Sequence, residues 1–299
     1  MSGSEADAIL PTLLDRAWQD IVKGQLTPTP RRRHGHRPPR AVFVAGQPAS
    51  QKTTIEDYAR KEERLRDPVR IDADKMRELH PYYPRWVRED DLTAASKSQE
   101  AVGKWVDRAI QHVAERGFDV IVSATLKDAQ KARKKIEPFL AANYDVFLIF
   151  TSVDEISSRL SIVERFLRGR RPGSWARYVP ADIHDEACAG SIDTARHIDE
   201  NTFGFDKLWV RVYRRRGNDT ELAYKNHLVG GGWQEGKALT ARTIAAERRS
   251  YWDYHVDRFR ATAQSLLRAE HLVHPTLRGH IVGTISKFLN TPVCLRNGH

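Results

Sequence analysis

The sequence predicts an α/β fold, a parallel sheet flanked by helices with helical additions at both ends. Short apolar runs at 41–45, 69–72, 119–122, 145–150 and 208–213 suit strands buried on both faces. Stretches with apolar residues at helical spacing separate them, and such alternation marks parallel strands joined by crossover helices. Beyond Gly230-Gly231-Gly232 the pattern is helical only.

Each element follows from local chemistry. Ile9, Leu10, Leu13, Leu14, Trp18, Ile21 and Val22 fall on one helical face, predicting an amphipathic helix over 5–22 inside an N-terminal segment 1–29. Segment 30–40 is rich in arginine and broken by proline and glycine, so it reads as a connector. Ala41-Val42-Phe43-Val44-Ala45 is the first strand, followed by a glycine-opened loop and a helix to about Arg66. Val69-Arg70-Ile71-Asp72 is the second strand, and 92–116 reads as one long helix ended by Gly117. The strand at 119–122, a helix at 128–142 and the strand at 145–150 come next. Helices at 154–169 and 181–198 flank a Gly/Pro-broken loop through Arg170-Arg171-Pro172-Gly173, and Leu208–Tyr213 reads as the last strand, of parallel type. These elements form one domain over 41–230, with an extension over 231–299 holding helices at about 240–269 and 275–289.

Composition narrows the classes. No run approaches the roughly 18 apolar residues of a membrane span, and MSGSEADAIL lacks the basic and apolar regions of a secretory signal. Cys188 and Cys294 stand far apart without a partner motif, which fits a reducing cytoplasm and argues against a disulfide framework or zinc site. The net charge of +10 attracts anions or simply decorates a solvated surface. Nucleic acid is not the expected partner, because no aromatic residues interleave the basic cluster to stack bases.

Gly46-Gln47-Pro48-Ala49-Ser50-Gln51-Lys52-Thr53 follows the first strand and opens a helix. In the pattern G-x-x-x-x-G-K-[ST], backbone N–H groups cradle phosphate, the lysine reaches β/γ oxygens and the hydroxyl holds Mg²⁺. Lys52 and Thr53 fill the last two positions, whereas Gln51 stands where the second glycine belongs. If that position needs φ > 0, its side chain costs about 1–2 kcal/mol. A plain strand–helix turn that happens to contain Lys-Thr is the competing reading. About 20 residues on, Asp72 and Asp74 end the second strand, where ligands sit in parallel sheets. A carboxylate there can accept the proton of an attacking hydroxyl, or the pair can serve as helix caps.

Gly46-Gln47-Pro48 with Ser50 and Lys52-Thr53, then Ile71-Asp72-x-Asp74-x-x-Arg77-x-x-His80-Pro81, resembles the zeta-toxin family. Ser158-Arg159, Glu164-Arg165-Phe166, Arg177 and His184-Asp185 continue the resemblance, which covers roughly 40–215. It implies a P-loop kinase fold and transfer of the ATP γ-phosphate, with Mg²⁺, to the amino sugar of UDP-N-acetylglucosamine. It implies Asp74 as general base, with Lys52, Arg165 and Arg177 on the phosphoryl group. It also implies His80, Ser123, Thr125 and Lys127 as substrate-side residues beside Asp74, and a small helical antitoxin as partner. Ser123 replaces the family's glutamate and Lys127 its usual arginine, so a different nucleotide acceptor is also expected. The alternative is a catalytically weakened member that binds a nucleotide or a partner, its loop disabled by Ala49 and Gln51.

Overall fold

The computed structural model describes residues 11–26, 37–65, 67–169, 177–216, 219–268 and 274–289. One sheet runs through it in the order β2-β3-β1-β4-β5-β6-β7. The first five in chain order are β1 (Arg40–Ala45), β2 (Val69–Asp72), β3 (Val120–Ala124), β4 (Asp145–Thr151) and β5 (Lys207–Arg216). All five are parallel, as the apolar runs predict. In β1 the pleat sends Ala41, Phe43 and Ala45 into the larger core and Val42 and Val44 into a second core on the other face. Both faces of the strand are thereby closed to water.

The N-terminal helix is α-helical at 11–17 (α1), passes through a π turn at Trp18–Val22, and ends as α2 (Lys23–Leu26) against the sheet's helical cover. The crossover helices are α3 (Lys52–Glu62), α4 (Ala73–Glu78), α5 (Tyr83–Glu89), α6 (Ala94–Lys97), α7 (Gln99–Arg116), α8 (Ala129–Ala141), α9 (Glu155–Gly169) and α10 (Ala181–Asp199). The tail forms α11 (Thr240–Arg268) and α12 (Pro275–Leu289). Arg37, from the basic connector, pairs with buried Asp119 at 2.7 Å, and Arg40 N–H donates to the same carboxylate at 2.9 Å. The rest of the connector, residues 30–36, lies outside the described residues, as do Arg170, Arg171 and Cys294.

Two expectations need correction. The helix expected over 92–116 is two helices meeting at Ser98, whose buried hydroxyl bonds Ala95 O and accepts from Arg77. The sheet does not end at Tyr213: β5 runs on to Arg216, and β6 (Asp219–Val229) and β7 (Gly232–Trp233) add antiparallel at the edge. Only Asn226 and Leu228 of β6 are buried, so no apolar run announces it. In the tail, α11 packs on β5, β6, α9 and α10 and α12 packs on α9.

Candidate functional site

The site lies beyond the carboxyl ends of β1, β2, β3 and β4, where the chain reverses direction across the sheet. After Ala45 the loop turns on Gly46. A Cβ there would stand 2.2 Å from Thr151 Oγ1 and 2.6 Å from Ser50 Oγ, so only glycine fits between β4 and the loop. Ala49 (φ 60°) and Gln51 (φ 62°) both hold left-handed backbone, at about 1–2 kcal/mol for each Cβ. The sequence pointed to this strain at Gln51. Ala49 repeats it two residues earlier.

Gln47 is fully buried and tightly held. Its Nε2 donates to Val153 O at 2.6 Å and to Ser158 Oγ at 3.2 Å, while its Oε1 accepts from Arg248 Nη2 at 2.9 Å. Gln47's carbonyl accepts from Ser50 N at 3.2 Å and, together with Gly46 O, from Lys52 Nζ at 3.0 Å each. Burial pulls the Lys52 ammonium down to about 8. Ser50 Oγ, Gln51 Oε1 and Thr151 Oγ1 are buried around the loop without a hydrogen-bond partner in the structure. The Ser50 and Thr151 hydroxyls beside the lysine can donate to an anion, whereas Gln51 Oε1, an acceptor, cannot. Thr53 is exposed in the first turn of α3.

Across the loop, Asp72 caps α4 by accepting from Asp74 N at 2.8 Å, so the cap reading holds for Asp72. Asp74 does something else. Its Oδ1 accepts from Arg77 Nη1 at 2.6 Å and from Arg177 Nη1. Burial raises its pKa, but Arg177, Arg77, Arg165 and Lys52 together hold the carboxyl below its ordinary range. Arg177 Nε is buried and unpartnered, leaving a donor beside the carboxylate. Arg77 is 1% exposed and spends its other nitrogens on Ser98 Oγ (2.9 Å) and Gln99 Oε1 (3.0 Å), which fixes the fork under Asp74. Arg77 was legible only as part of a motif. The signal for its role was its place three residues after Asp74, on the same helix face.

The structure thus brings Lys52, Asp74, Arg165 and Arg177 together. On the β3 side, Ser123 pairs in register with Asp72, and its hydroxyl faces the buried Glu56 carboxyl of α3. Thr125 follows, half-buried at the strand end. Lys127 turns to Glu186 of α10 at 2.6 Å. His80 is buried against Trp86 and Trp105, its Nδ1 accepting from Tyr82 N at 3.2 Å and its ring neutral with a pKa pushed down to about 4 by burial. Its place is in the wall behind α4 rather than on the open face.

Ser158, Arg159, His184 and Asp185 tie α9 to α10. Ser158 Oγ lies 2.8 Å from His184 Nε2, whose Nδ1 is 3.0 Å from Asp185 Oδ1, and Asp185 Oδ2 accepts from Arg159 at 2.6 Å. The hydroxyl–imidazole–carboxylate order resembles a nucleophile relay, but Ser158 and His184 are fully buried and Ser158 Oγ is already bonded to Asp154 O at 2.8 Å. It is a structural strut. Burial also lifts the Cys188 thiol beside it to about 12, leaving it inert.

Known proteins share the fold that carries this site. Toxin PezT of Streptococcus pneumoniae serotype 4 is 24% identical over 230 residues, 74% of this chain and 90% of the toxin. Toxin zeta of Streptococcus agalactiae is 21% identical over 205 residues, 68% of this chain and 70% of its own. Among solved structures, the PezAT chromosomal toxin-antitoxin system of S. pneumoniae superposes with a TM-score of 0.66 at 19% identity, covering 85% of this chain and 97% of that one. The native AvrRxo1-ORF1:-ORF2 complex gives 0.51 at 12% identity, covering 95% and 85%. These likenesses establish the P-loop kinase-like fold. The Zeta toxin family model matches residues 26–228, from α2 through β6, and the chain belongs to that family.

Proposed function

We propose that the chain is an ATP-dependent phosphotransferase acting on a hydroxyl of UDP-N-acetylglucosamine or a related nucleotide acceptor. The observation that carries this reading is the convergence of Lys52, Arg77, Arg165 and Arg177 on Asp74, beside a loop with unspent polar atoms. Phosphoryl transfer needs little covalent help from a protein. It needs a cradle for the phosphates, cations where charge spreads, and a base on the acceptor.

The loop amides and Lys52 take the phosphates, and Lys52 leaves the carbonyls of Gly46 and Gln47 to do so. Arg177 offers its free Nε to the moving phosphoryl group while still touching Asp74. Asp74, kept ionised at neutral pH by its arginines, takes the acceptor's proton. As arginine charge is drawn towards the phosphoryl group, the carboxylate becomes more basic when the proton must move. Among the described residues no group of three or more His, Cys, Asp or Glu side chains could hold a metal. Mg²⁺ takes one or two protein ligands and completes its shell with water and phosphates. Thr53 is the residue that would hold it, and there it would neutralise charge on the phosphate oxygens.

The likeness to a toxin-antitoxin system supports an antitoxin as partner. Ser123 at the strand end, in place of a glutamate, supports an acceptor other than the cell-wall sugar nucleotide. The left-handed Ala49 and Gln51 favour the second reading, a member that keeps the fold and binds without turnover. Calorimetric titration separates these. ATP·Mg²⁺ and UDP-N-acetylglucosamine should both bind. ATP alone moves the acceptor to another nucleotide, and folded protein that binds neither overturns the phosphotransferase.

A further inference from the structure

The loop carries two strained residues and still holds its cradle, so something must hold it there. Gln47 is the member with the firmest anchorage, and one of its anchors comes from the C-terminal tail. Arg248 on α11 donates from Nη2 to Gln47 Oε1 at 2.9 Å, across 201 residues of chain. The same guanidinium donates to Cys188 O at 2.9 Å and Ser191 Oγ at 3.0 Å, both on α10. It is therefore fixed on a rigid helix pair and reaches the loop with a spare donor. Gln47 passes that position on through its carbonyl, which accepts from Ser50 N and Lys52 Nζ. Arg248 also lies beyond residue 228, where the family match ends.

We propose that Arg248 is a positioning residue for the phosphate loop. It holds Gln47, and through the Ser50 N–H bond to Gln47's carbonyl it keeps the left-handed turn in place against the strain of Ala49 and Gln51. The tail is thus part of the nucleotide site, and the proposal rests on reading the loop as that site. Without the clamp, strain drives the loop out of the cradle, and nucleotide binding must restore it. Removing the strain at Gln51 then compensates for losing the clamp.

The test uses the full-length chain as Arg248→Met, Arg248→Lys, Gln51→Gly and Arg248→Met/Gln51→Gly. Two readouts are taken: amide hydrogen exchange of residues 47–53 without ligand, and the ATP·Mg²⁺ dissociation constant. Arg248→Met should speed loop exchange tenfold or more and weaken ATP by a similar factor. Arg248→Lys should fall between, and carries the test alone if the methionine variant does not fold. Adding Gln51→Gly should recover most of both losses, which a merely structural arginine would not allow. Unchanged loop exchange in Arg248→Met and Arg248→Lys, with only the melting temperature lowered, overturns the proposal. If no variant binds ATP but exchange still rises and is rescued, the clamp stands and the nucleotide reading fails.

Discussion

Replacing Gln51 by glycine probes the loop where sequence and structure meet. Gln51 sits at φ 62° and ψ 32°, caps α3 without a side-chain hydrogen bond, and buries an unpartnered Oε1. Glycine removes about 1–2 kcal/mol of left-handed strain. Deleting the orphan acceptor adds on the order of 1 kcal/mol. Against these stands the freedom glycine gives the unfolded chain, about 0.5–1 kcal/mol. The net is a stabilisation of about 1–2 kcal/mol, raising Tm by roughly 2–8 °C. Because the strain is already present without ligand, it cancels from binding, so ATP affinity should change by less than about threefold. Differential scanning calorimetry and ATP titration of the parent and Gln51→Gly proteins measure both. A lowered Tm, or ATP bound tenfold more tightly, would mean that the free loop does not hold this conformation.

Two further predictions concern pH. Burial brings Lys52 down to about 8, so the ammonium is lost as pH rises through that value; ATP affinity should fall there, and ATP binding should take up a proton, which calorimetry in buffers of different ionisation enthalpy detects. Burial lifts Asp154 from 3.8 to about 6, so the folded state holds a proton that the unfolded chain has lost across that window. Its penalty therefore grows as pH rises through the window and is complete above it, at up to about 3 kcal/mol. Asp154→Asn keeps the oxygen that accepts from Ser157 N at 2.9 Å. Its Tm should exceed the parent's at pH 7.5 and converge with it near pH 4, and equal melting at both pH values would contradict the shift.

The strands were legible wherever both faces are buried, since Val42–Ala45 and Val146–Phe150 then have no polar residue to blur the run. The edge was not: in β6 Leu222 is exposed, Tyr224 half-buried and only Asn226 and Leu228 are buried, and its pairing to β5 depends on a hairpin rather than on an apolar run. Lys52, Asp74 and the left-handed Gln51 could be placed from spacing, because loop and helix geometry fix them locally. Gln47 could be placed in the loop but its anchors could not, and Arg248 was not singled out at all. Nothing near Arg248 in sequence marks it, and its meaning comes from a contact between a tail helix and a loop at the other end of the chain. Ala49 fills an unconstrained position of the loop pattern, and its positive φ is a property of the folded turn.

We propose that Asp74 accepts the acceptor's proton during phosphoryl transfer. The most direct measurement is mass-spectrometric detection of UDP-N-acetylglucosamine, or a nucleotide acceptor from a panel, gaining one phosphate from ATP·Mg²⁺, with parent and Asp74→Asn proteins side by side. The amide keeps an oxygen for Arg77 and Arg177 but takes no proton, so kcat should fall by about 10²–10⁴-fold in a protein that still folds and binds ATP, with Tm lowered by the loss of the counter-charge to buried Arg77. An Asp74→Asn protein that turns over at the parental rate, or a folded parent that phosphorylates no acceptor, contradicts the account.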